Sequence, residues 1–147
     1  MRISKIRDVK TPTRGTDGSA GIDFYVPNDY PNNLCTVDPG ERFFIPSGIR
    51  ADVPFGHALI AFNKSGVALK QGLSVGASVV DSDYQGEIHL HLVNTSSNTQ
   101  TIEPGQKLVQ FLLIEVDHCV IEEVGDDYLF SVESERGSGG FGSTGVL

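Results

Sequence analysis

Long apolar runs are missing from this sequence. Hydrophobic residues make up 39% of the chain, but none of their stretches approaches the roughly 20 residues that a membrane-spanning helix needs. The first ten residues, Met1–Lys10, alternate charged and uncharged side chains and lack the apolar segment of a signal peptide. We therefore expect a cytoplasmic protein without a secretory leader and without a membrane partner.

Cysteine is equally scarce, with only Cys35 and Cys119 in 147 residues. Two cysteines do not make the disulfide framework of a small secreted domain. We predict two reduced, buried thiols, as in cytosolic proteins, with a single disulfide as the alternative.

Basic side chains are too few for binding to polyanions by bulk charge. The chain has 11 Lys and Arg against 19 Asp and Glu, for a formal net charge of −8. This balance argues against nucleic acid and against an anionic membrane surface as partners. An anionic substrate would have to be bound by local groups against the overall field.

A helical period is also lacking, since no stretch of about eleven residues repeats apolar side chains at helical spacing. Instead, 17 glycines and 7 prolines divide the chain into short apolar or alternating runs. Such punctuation predicts an all-β antiparallel sandwich or barrel of jelly-roll type. The predicted strands lie in Ile22–Val26, Arg42–Ile45, Ile49–Val53, Ala58–Phe62, Glu87–Leu92, Thr99–Ile102 and Lys107–Val116, with a short helix or turn at Val67–Gln71. The longest run, Lys107–Val116, is expected to be buried on both faces.

The composition changes at Gly125, so we divide the chain into a folded domain, 1–124, and a flexible C-terminal segment, 125–147. Five of the last twelve residues are glycine, which makes this end costly to order. One interpretation is a disordered tail. The other is a lid over a nucleotide, because the guanidinium of Arg136 suits phosphate and the ring of Phe141 suits a base.

Two carboxylates lie one residue apart in Val79–Gly86, at Asp81 and Asp83. In a strand they would share a face, where they repel unless they are solvated, bound to a cation or held at a functional site. The alternative is an Asp-rich hairpin turn at a solvent edge.

Five segments together resemble the motifs of the trimeric dUTP pyrophosphatase (dUTPase) family, in the family's order and over nearly the whole chain. They are Ala20–Asp23, Lys64–Ala68, Val79–Gly86, Gly105–Gln110 and Arg136–Gly145. The last of these is the most specific. Each segment alone is a weak signal, whereas five in the correct order form a strong one.

The resemblance implies a distorted jelly roll of the β-clip type with a flexible Gly-rich tail. It implies Mg²⁺-dependent hydrolysis of dUTP to dUMP and pyrophosphate, which keeps uracil out of DNA and supplies dUMP for thymidylate synthesis. It also implies a homotrimer whose active sites are shared between subunits, in the cytoplasm or, for a viral protein, in that of the host cell.

The resemblance further implies roles for single residues. Asp81 would orient the water that attacks the α-phosphorus and act as its general base. Tyr84 would pack on the deoxyribose and leave no room for a 2′-hydroxyl, and Asp23 would reach Mg²⁺ through water while the substrate phosphates hold the ion. The backbone of Val75–Val80 would bind uracil. The other implied substrate-binding residues are Lys64, Ser65, Gly66 and Gln110 for phosphate, Ala77, Ser78, Val80 and His89 around the base, and Arg136, Phe141, Gly142 and Ser143 from the tail.

Two positions depart from the family pattern. Lys64 stands where the second motif usually has Arg, which keeps the charge but loses the bidentate geometry. Ser78 stands where the third motif usually has Gly, so that its Cβ is expected to crowd the uracil hairpin.

Two rival functions remain at this point. The first is the related dCTP deaminase, which is disfavoured because its catalytic Glu, ten residues after the Asp, corresponds to His91 here. The second is a non-catalytic jelly roll that senses nucleotides or serves a structural role, which an intact Asp81 together with Arg136 and Phe141 disfavours.

Overall fold

The structure, a computed structural model, describes residues 1–30 and 35–140. It divides into two compact units, Met1–Asp117 and a second unit that starts at His118. Within the described residues, eleven strands and one α-helix lie in the first unit. The expectation that the folded domain ends at residue 124 stays a prediction.

The strands are β1 (Arg2–Lys5), β2 (Ile22–Phe24), β3 (Cys35–Val37), β4 (Arg42–Pro46), β5 (Ile49–Asp52), β6 (His57–Asn63), β7 (Leu73–Val75), β8 (Val79–Val80), β9 (His89–Asn94), β10 (Gln100–Ile102) and β11 (Val109–Glu115), and the helix is α1 (Ser65–Gln71).

Two larger sheets and two strand pairs make up this unit, and every pairing is antiparallel. A four-stranded sheet has the order β2-β11-β6-β8, and a three-stranded sheet has the order β4-β9-β7. The remaining pairs are β1 with β5 and β10 with β3. The antiparallel all-β architecture confirms the prediction made from the Gly and Pro punctuation.

The core is formed by the buried faces of these sheets. Phe24 of β2 and Phe111 of β11 lie at its centre, with ring centroids 4.5 Å apart and almost no exposed surface. In β9 the side chains alternate as predicted, because Leu90 and Leu92 enter the core while His91 lies on the other face. The alternation therefore decides which β9 side chains are available to a binding site.

Two predictions about strands need correction, the start of β9 and the burial of both faces of β11. β9 begins at His89 and not at Glu87, because the backbone of Ile88 pairs with Ile49 and Ser47 instead of with the sheet neighbours of β9. In β11 only one face is fully buried in this chain, at Val109 and Phe111, and the opposite face is half-buried.

The short helix was predicted as a helix or turn at 67–71, and it begins two residues earlier. It ends at Gln71 and is capped by Gly72, whose φ of 64° is in the left-handed region and whose N–H donates to the carbonyl of Ala68 at 3.1 Å. A glycine suits this position because a residue with a Cβ is strained there.

Both cysteines are free thiols. Cys35 is half-buried, but Cys119 is exposed, so the expectation of two buried thiols is wrong for Cys119. That residue lies in a stretch of the second unit to which no secondary structure is assigned.

The second unit, where described, has one 3-10 turn at Asp126–Tyr128 and no strand. Its apolar side chains are largely exposed, among them Val120, Ile121, Phe130 and Val132. No helix within residues 1–30 and 35–140 has the length and apolarity that a membrane span requires.

Candidate functional site

The two carboxylates of the third motif lie in a turn and not in a strand. β8 ends at Val80, and the N–H of Tyr84 donates to the carbonyl of Asp81 at 3.2 Å to close the turn. Asp81 and Asp83 are both exposed. The expectation that they share one face of a strand is therefore wrong, and the Asp-rich turn is the correct interpretation of the local structure.

One local side chain and two from distant parts of the chain anchor this turn. The hydroxyl of Tyr84 donates to the carbonyl of Glu87 at 2.8 Å, and Nε of Arg50 donates to the carbonyl of Gln85 at 2.7 Å. The Glu87 carboxylate in turn accepts from Nε of Arg7 at 2.7 Å and from the N–H of Gly48 at 2.8 Å. These bonds fix the position at which Asp81 is presented.

Beside the turn lies a concave pocket of about 200 Å³, which we call the hairpin pocket. Among the residues predicted to lie around the base and the sugar, it brings together Ala77, Ser78, Val80, His89 and Tyr84. Its lining residues are Phe44, Ala77, Ser78, Val79, Val80, Asp81, Tyr84, Ile88, His89, His91 and Phe111. Tyr84 keeps 43% of its surface exposed, so its ring remains available to a ligand.

The expected hairpin at Val75–Val80 is not a pair of bonded strands, because β7 pairs with β9 and β8 pairs with β6; we keep the word hairpin for this segment. Its backbone is already partly used by the protein. The N–H of Val75 donates to Oδ1 of Asn63 at 2.6 Å, that of Gly76 to the carbonyl of His91 at 3.0 Å, and that of Ala77 to Nδ1 of His91 at 2.7 Å. The carbonyl of Ser78 accepts from the N–H of Ala61 at 2.8 Å. A base in this pocket would therefore be bound by other backbone groups than these three amides.

A larger and more open concavity, of about 350 Å³, also has Tyr84 in its wall. Its walls carry Arg2, Asp52 and Arg50, and these groups are already paired: Arg2 binds Asp52 at 2.6 Å, and Arg50 binds the carbonyl of Gln85. We place the candidate site in the smaller hairpin pocket, because it carries Asp81 and the predicted base-binding backbone.

A second polar group, the lysine–aspartate cluster, consists of Asp23, Lys64 and Lys107. It unites the first, second and fourth motifs. Asp23 is 5% exposed, and its carboxylate binds Nζ of Lys64 closely and Nζ of Lys107 at 3.2 Å. Burial disfavours the charged carboxylate, but the two ammonium groups outweigh it and hold the pKa of Asp23 below its usual range. Two ammonium groups against one carboxylate leave a net positive charge there.

Gln110 lies next to this cluster, because its position on β11 pairs with Asp23 on β2. Its Nε2 donates to the carbonyl of Asn63 at 2.8 Å. The side chain packs so tightly against Gly21 that a Cβ there would lie 2.1 Å from Oε1 of Gln110. Ser65 and Gly66 follow Lys64 as the first residues of α1, and both are exposed.

The described residues do not form a ready-made metal site. No three His, Cys, Asp or Glu side chains are grouped to hold an ion within residues 1–30 and 35–140. Both carboxylate oxygens of Asp23 already accept from lysines. This donor set fits Mg²⁺ only if the ion keeps its waters and takes most of its ligands from substrate phosphates.

The predicted tail residues lie partly outside the described residues, since Phe141, Gly142 and Ser143 fall in 141–147. Arg136 belongs to the second unit, where it is exposed and its Nε donates to the carbonyl of Gly139 at 2.7 Å. The roles of these four residues stay predictions.

Four residues near the hairpin pocket and the lysine–aspartate cluster were not identified as site residues from the sequence. Lys107 lies within the fourth motif, and its charge next to the predicted phosphate residues was the available signal. His91, Phe44 and Asn63 carry no motif signal, because only the pairing of β9 with β4 and β7 and the end of β6 bring them to the hairpin.

The Glu87 anchor gives an expectation for acid stability. Burial raises the pKa of Glu87, but Arg7 and the Gly48 amide outweigh it, so that the pKa lies below the usual value. A carboxylate with a depressed pKa stabilises the fold above its unfolded pKa of about 4.3, and this contribution is lost as the pH falls through the folded value. We expect Glu87→Gln to be less stable than the unsubstituted chain near neutral pH, with a difference that shrinks as the pH falls below about 4.3.

Denaturant unfolding at one fixed protein concentration measures this difference, followed by circular dichroism because the chain has no tryptophan. A difference in unfolding free energy that stays constant from neutral to acid pH would contradict the ionic anchor.

Comparison with known proteins supports the motif pattern. The dUTPase family profile matches residues 7–145. A deoxyuridine 5'-triphosphate nucleotidohydrolase of Chlamydia pneumoniae is 40% identical over 137 residues, which cover 92% of this chain and 90% of that protein.

Solved structures agree in fold. The dUTPase of Staphylococcus bacteriophage 80alpha with dUPNHPP superposes with a TM-score of 0.85 at 21% identity, covering 99% of this chain and 98% of that one. A variant dUTPase of S. aureus phage phi11, described with a structural Mg(II) ion, has a TM-score of 0.75 at 17% identity, covering 85% and 96%. These likenesses confirm the jelly-roll type of β fold. With the family profile spanning nearly the whole length and a bacterial relative at 40% identity, the chain belongs to the dUTPase family.

Proposed function

We propose that this chain hydrolyses dUTP to dUMP and pyrophosphate by water attack at the α-phosphorus, with Asp81 as the general base. Membership of the family makes it a dUTP diphosphatase; the mechanism and the residue roles are our proposal. The observation that carries it is the hairpin pocket, in which an exposed carboxylate, an exposed tyrosine ring and the chain segment 77–80 meet.

Asp81 is suited to activate water because its carboxylate is exposed at the edge of the pocket while its backbone is held by the turn. An ionised carboxylate accepts a proton from water as the oxygen attacks phosphorus. The anchors at Glu87 and Arg50 keep this acceptor in place without contacting it. Asp83, two residues further along the same turn, serves as the supporting residue.

The hairpin pocket supports selection of base and sugar. The segment Val75–Val80 offers rigid backbone groups, and such groups reject a base whose donors and acceptors do not match, because the mismatch leaves polar groups unpaired. Ser78 lines the pocket with its carbonyl held by the N–H of Ala61, and the expectation that its Cβ crowds the base stays a prediction. The ring of Tyr84 supplies the flat surface for a deoxyribose.

The lysine–aspartate cluster with Gln110, Ser65 and Gly66 is proposed to bind the phosphate chain. Its local positive charge suits a triphosphate even though the chain as a whole is acidic. Mg²⁺ supplies charge neutralisation of the phosphates when bound. Asp23 is the residue that would hold its waters, and Arg136, Phe141, Gly142 and Ser143 would close over the nucleotide.

A homotrimer with shared sites follows as part of the proposal. In the family the third motif comes from one subunit, the second and fourth come from a neighbour, and the fifth comes from the remaining chain. The exposed apolar side chains Val120, Ile121, Phe130 and Val132 are available for contacts with a neighbouring subunit. The reaction would supply dUMP for thymidylate synthesis, and the removal of dUTP would keep uracil out of DNA.

The activity is tested with a panel of nucleotides. Pyrophosphate release from dUTP, dCTP, dTTP and UTP should be fastest for dUTP, should fail for UTP because of its 2′-hydroxyl, and should stop when EDTA removes Mg²⁺. Conversion of dCTP with release of ammonia would instead favour the deaminase. The absence of any turnover would favour the non-catalytic jelly roll.

A further inference from the structure

The hairpin pocket contains a histidine whose contacts the proposed function does not use. Nδ1 of His91 accepts the N–H of Ala77 at 2.7 Å, and the carbonyl of the same residue accepts the N–H of Gly76 at 3.0 Å. One residue of β9 thus holds two successive amides of the hairpin. We propose that His91 is a positioning residue that sets the shape of the hairpin and thereby the affinity for the base; this inference rests on the proposed function of the hairpin.

The hydrogen bond fixes the state of the imidazole. A ring nitrogen that accepts from a backbone N–H carries no proton, so the neutral ring has its proton on Nε2. The Nε2 atom is the one buried side-chain nitrogen or oxygen among residues 1–30 and 35–140 that has no hydrogen-bond partner. Because an unmet buried donor is unfavourable, the position of the ring is explained by the bond at Nδ1 and not by any bond at Nε2.

Packing holds the ring against the hairpin. The ring of Phe44 stacks on the imidazole with centroids 4.3 Å apart and an angle of 12° between the planes. On the hairpin side, a Cβ added at Gly76 would lie 2.4 Å from both Cε1 and Nδ1 of His91. The imidazole therefore occupies the space that any larger residue at 76 would need, and the two positions depend on each other.

The contacts predict an effect on binding and not on chemistry. Ala77 and the neighbouring Ser78 line the base end of the pocket. Asp81 sits in a turn that Glu87 and Arg50 anchor without His91. Loss of the Nδ1 acceptor should therefore lower the affinity for the base while the position of the catalytic carboxylate is unchanged.

Three variants test this role by steady-state kinetics with dUTP. His91→Phe keeps an aromatic ring for Phe44 but removes the acceptor, and we expect KM to rise about five- to tenfold, the worth of one hydrogen bond, with kcat changed less than about twofold. His91→Asn replaces Nδ1 by an amide oxygen at the same distance from Cβ and should restore most of the KM. His57→Phe is the matched control, because His57 lies at the start of β6, outside the hairpin pocket and the lysine–aspartate cluster. This variant should have the KM and kcat of the unsubstituted chain.

The outcomes separate this inference from the proposed function. An unsubstituted chain without dUTP hydrolysis would remove the proposed function. With that activity present, an unchanged KM for His91→Phe, a loss of kcat in place of KM, or a His91→Asn variant as weak as His91→Phe would each overturn the role of His91.

A measurement on the unsubstituted protein keeps the test independent of how the variants fold. Nitrogen NMR of the chain labelled at its four histidines should show His91 with Nδ1 unprotonated and the proton on Nε2. A proton on Nδ1 of the neutral ring would overturn the proposal.

Discussion

Replacing Asp81 by asparagine is expected to abolish turnover while leaving dUTP bound. The amide has nearly the shape of the carboxylate but is a poor base, and the loss of a general base typically lowers the rate about 10²–10⁴-fold. The turn closes through the backbone carbonyl of Asp81 and not through its side chain, so the substitution leaves the turn intact. Single-turnover pyrophosphate release and a separate dUTP binding measurement distinguish the two effects.

Asp83→Asn is the matched control, because it makes the same chemical change two residues away in the same exposed turn. We expect this variant to retain most of the activity. If Asp83→Asn were inactive and Asp81→Asn active, the two roles would have to be exchanged.

Two inactive variants are expected to restore activity when they are unfolded and refolded together. Asp81→Asn removes the general base, and Arg136→Ala removes the guanidinium proposed to neutralise the γ-phosphate, so each homotrimer alone should be nearly inactive. In a shared site Asp81 and Arg136 come from different chains. With equal amounts and random assembly, each has an even chance of being intact, so roughly a quarter of the sites should be complete in a closed, symmetric assembly.

The alternative outcome is equally definite. If Asp81 and Arg136 of one site came from the same chain, every site would carry one lesion and mixing would restore nothing. Native mass spectrometry of isotope-labelled subunits confirms that exchange took place. A null result with confirmed exchange would remove the shared-site assembly and leave the enzymatic assignment intact.

The strands that could be predicted from the sequence are those with a local pattern of alternating side chains or flanking Gly and Pro residues. The alternation at Leu90 and Leu92 located β9, and Gly and Pro delimited β4, β5 and β6. β1 was not predicted, because Arg2–Lys5 has no apolar period and becomes a strand by pairing with β5, about fifty residues away. Such long-range pairing is not visible in a short window of sequence.

The same distinction applies to the site. Asp81 and Tyr84 belong to one contiguous motif, so the sequence could place them together. The paired lysines on Asp23 and the support of Ala77 by His91 depend on contacts between residues that are far apart in the chain. The segment Asp81–Tyr84 allows two interpretations from the sequence, because the β-branched Val79 and Val80 before it favour a strand while its Asp residues favour a turn.

Asn63 at the end of β6 has a consequence for the energetics of binding. Its side-chain oxygen holds the N–H of Val75, and its backbone carbonyl holds the side chain of Gln110. One residue thus fixes both the start of the base hairpin and a group beside the lysine–aspartate cluster before any nucleotide arrives. The conformational entropy of ordering these groups is lost when the chain folds and not when the ligand binds. Contacts made with this preorganised surface therefore contribute more of their interaction energy to affinity than contacts with a segment that must still be ordered.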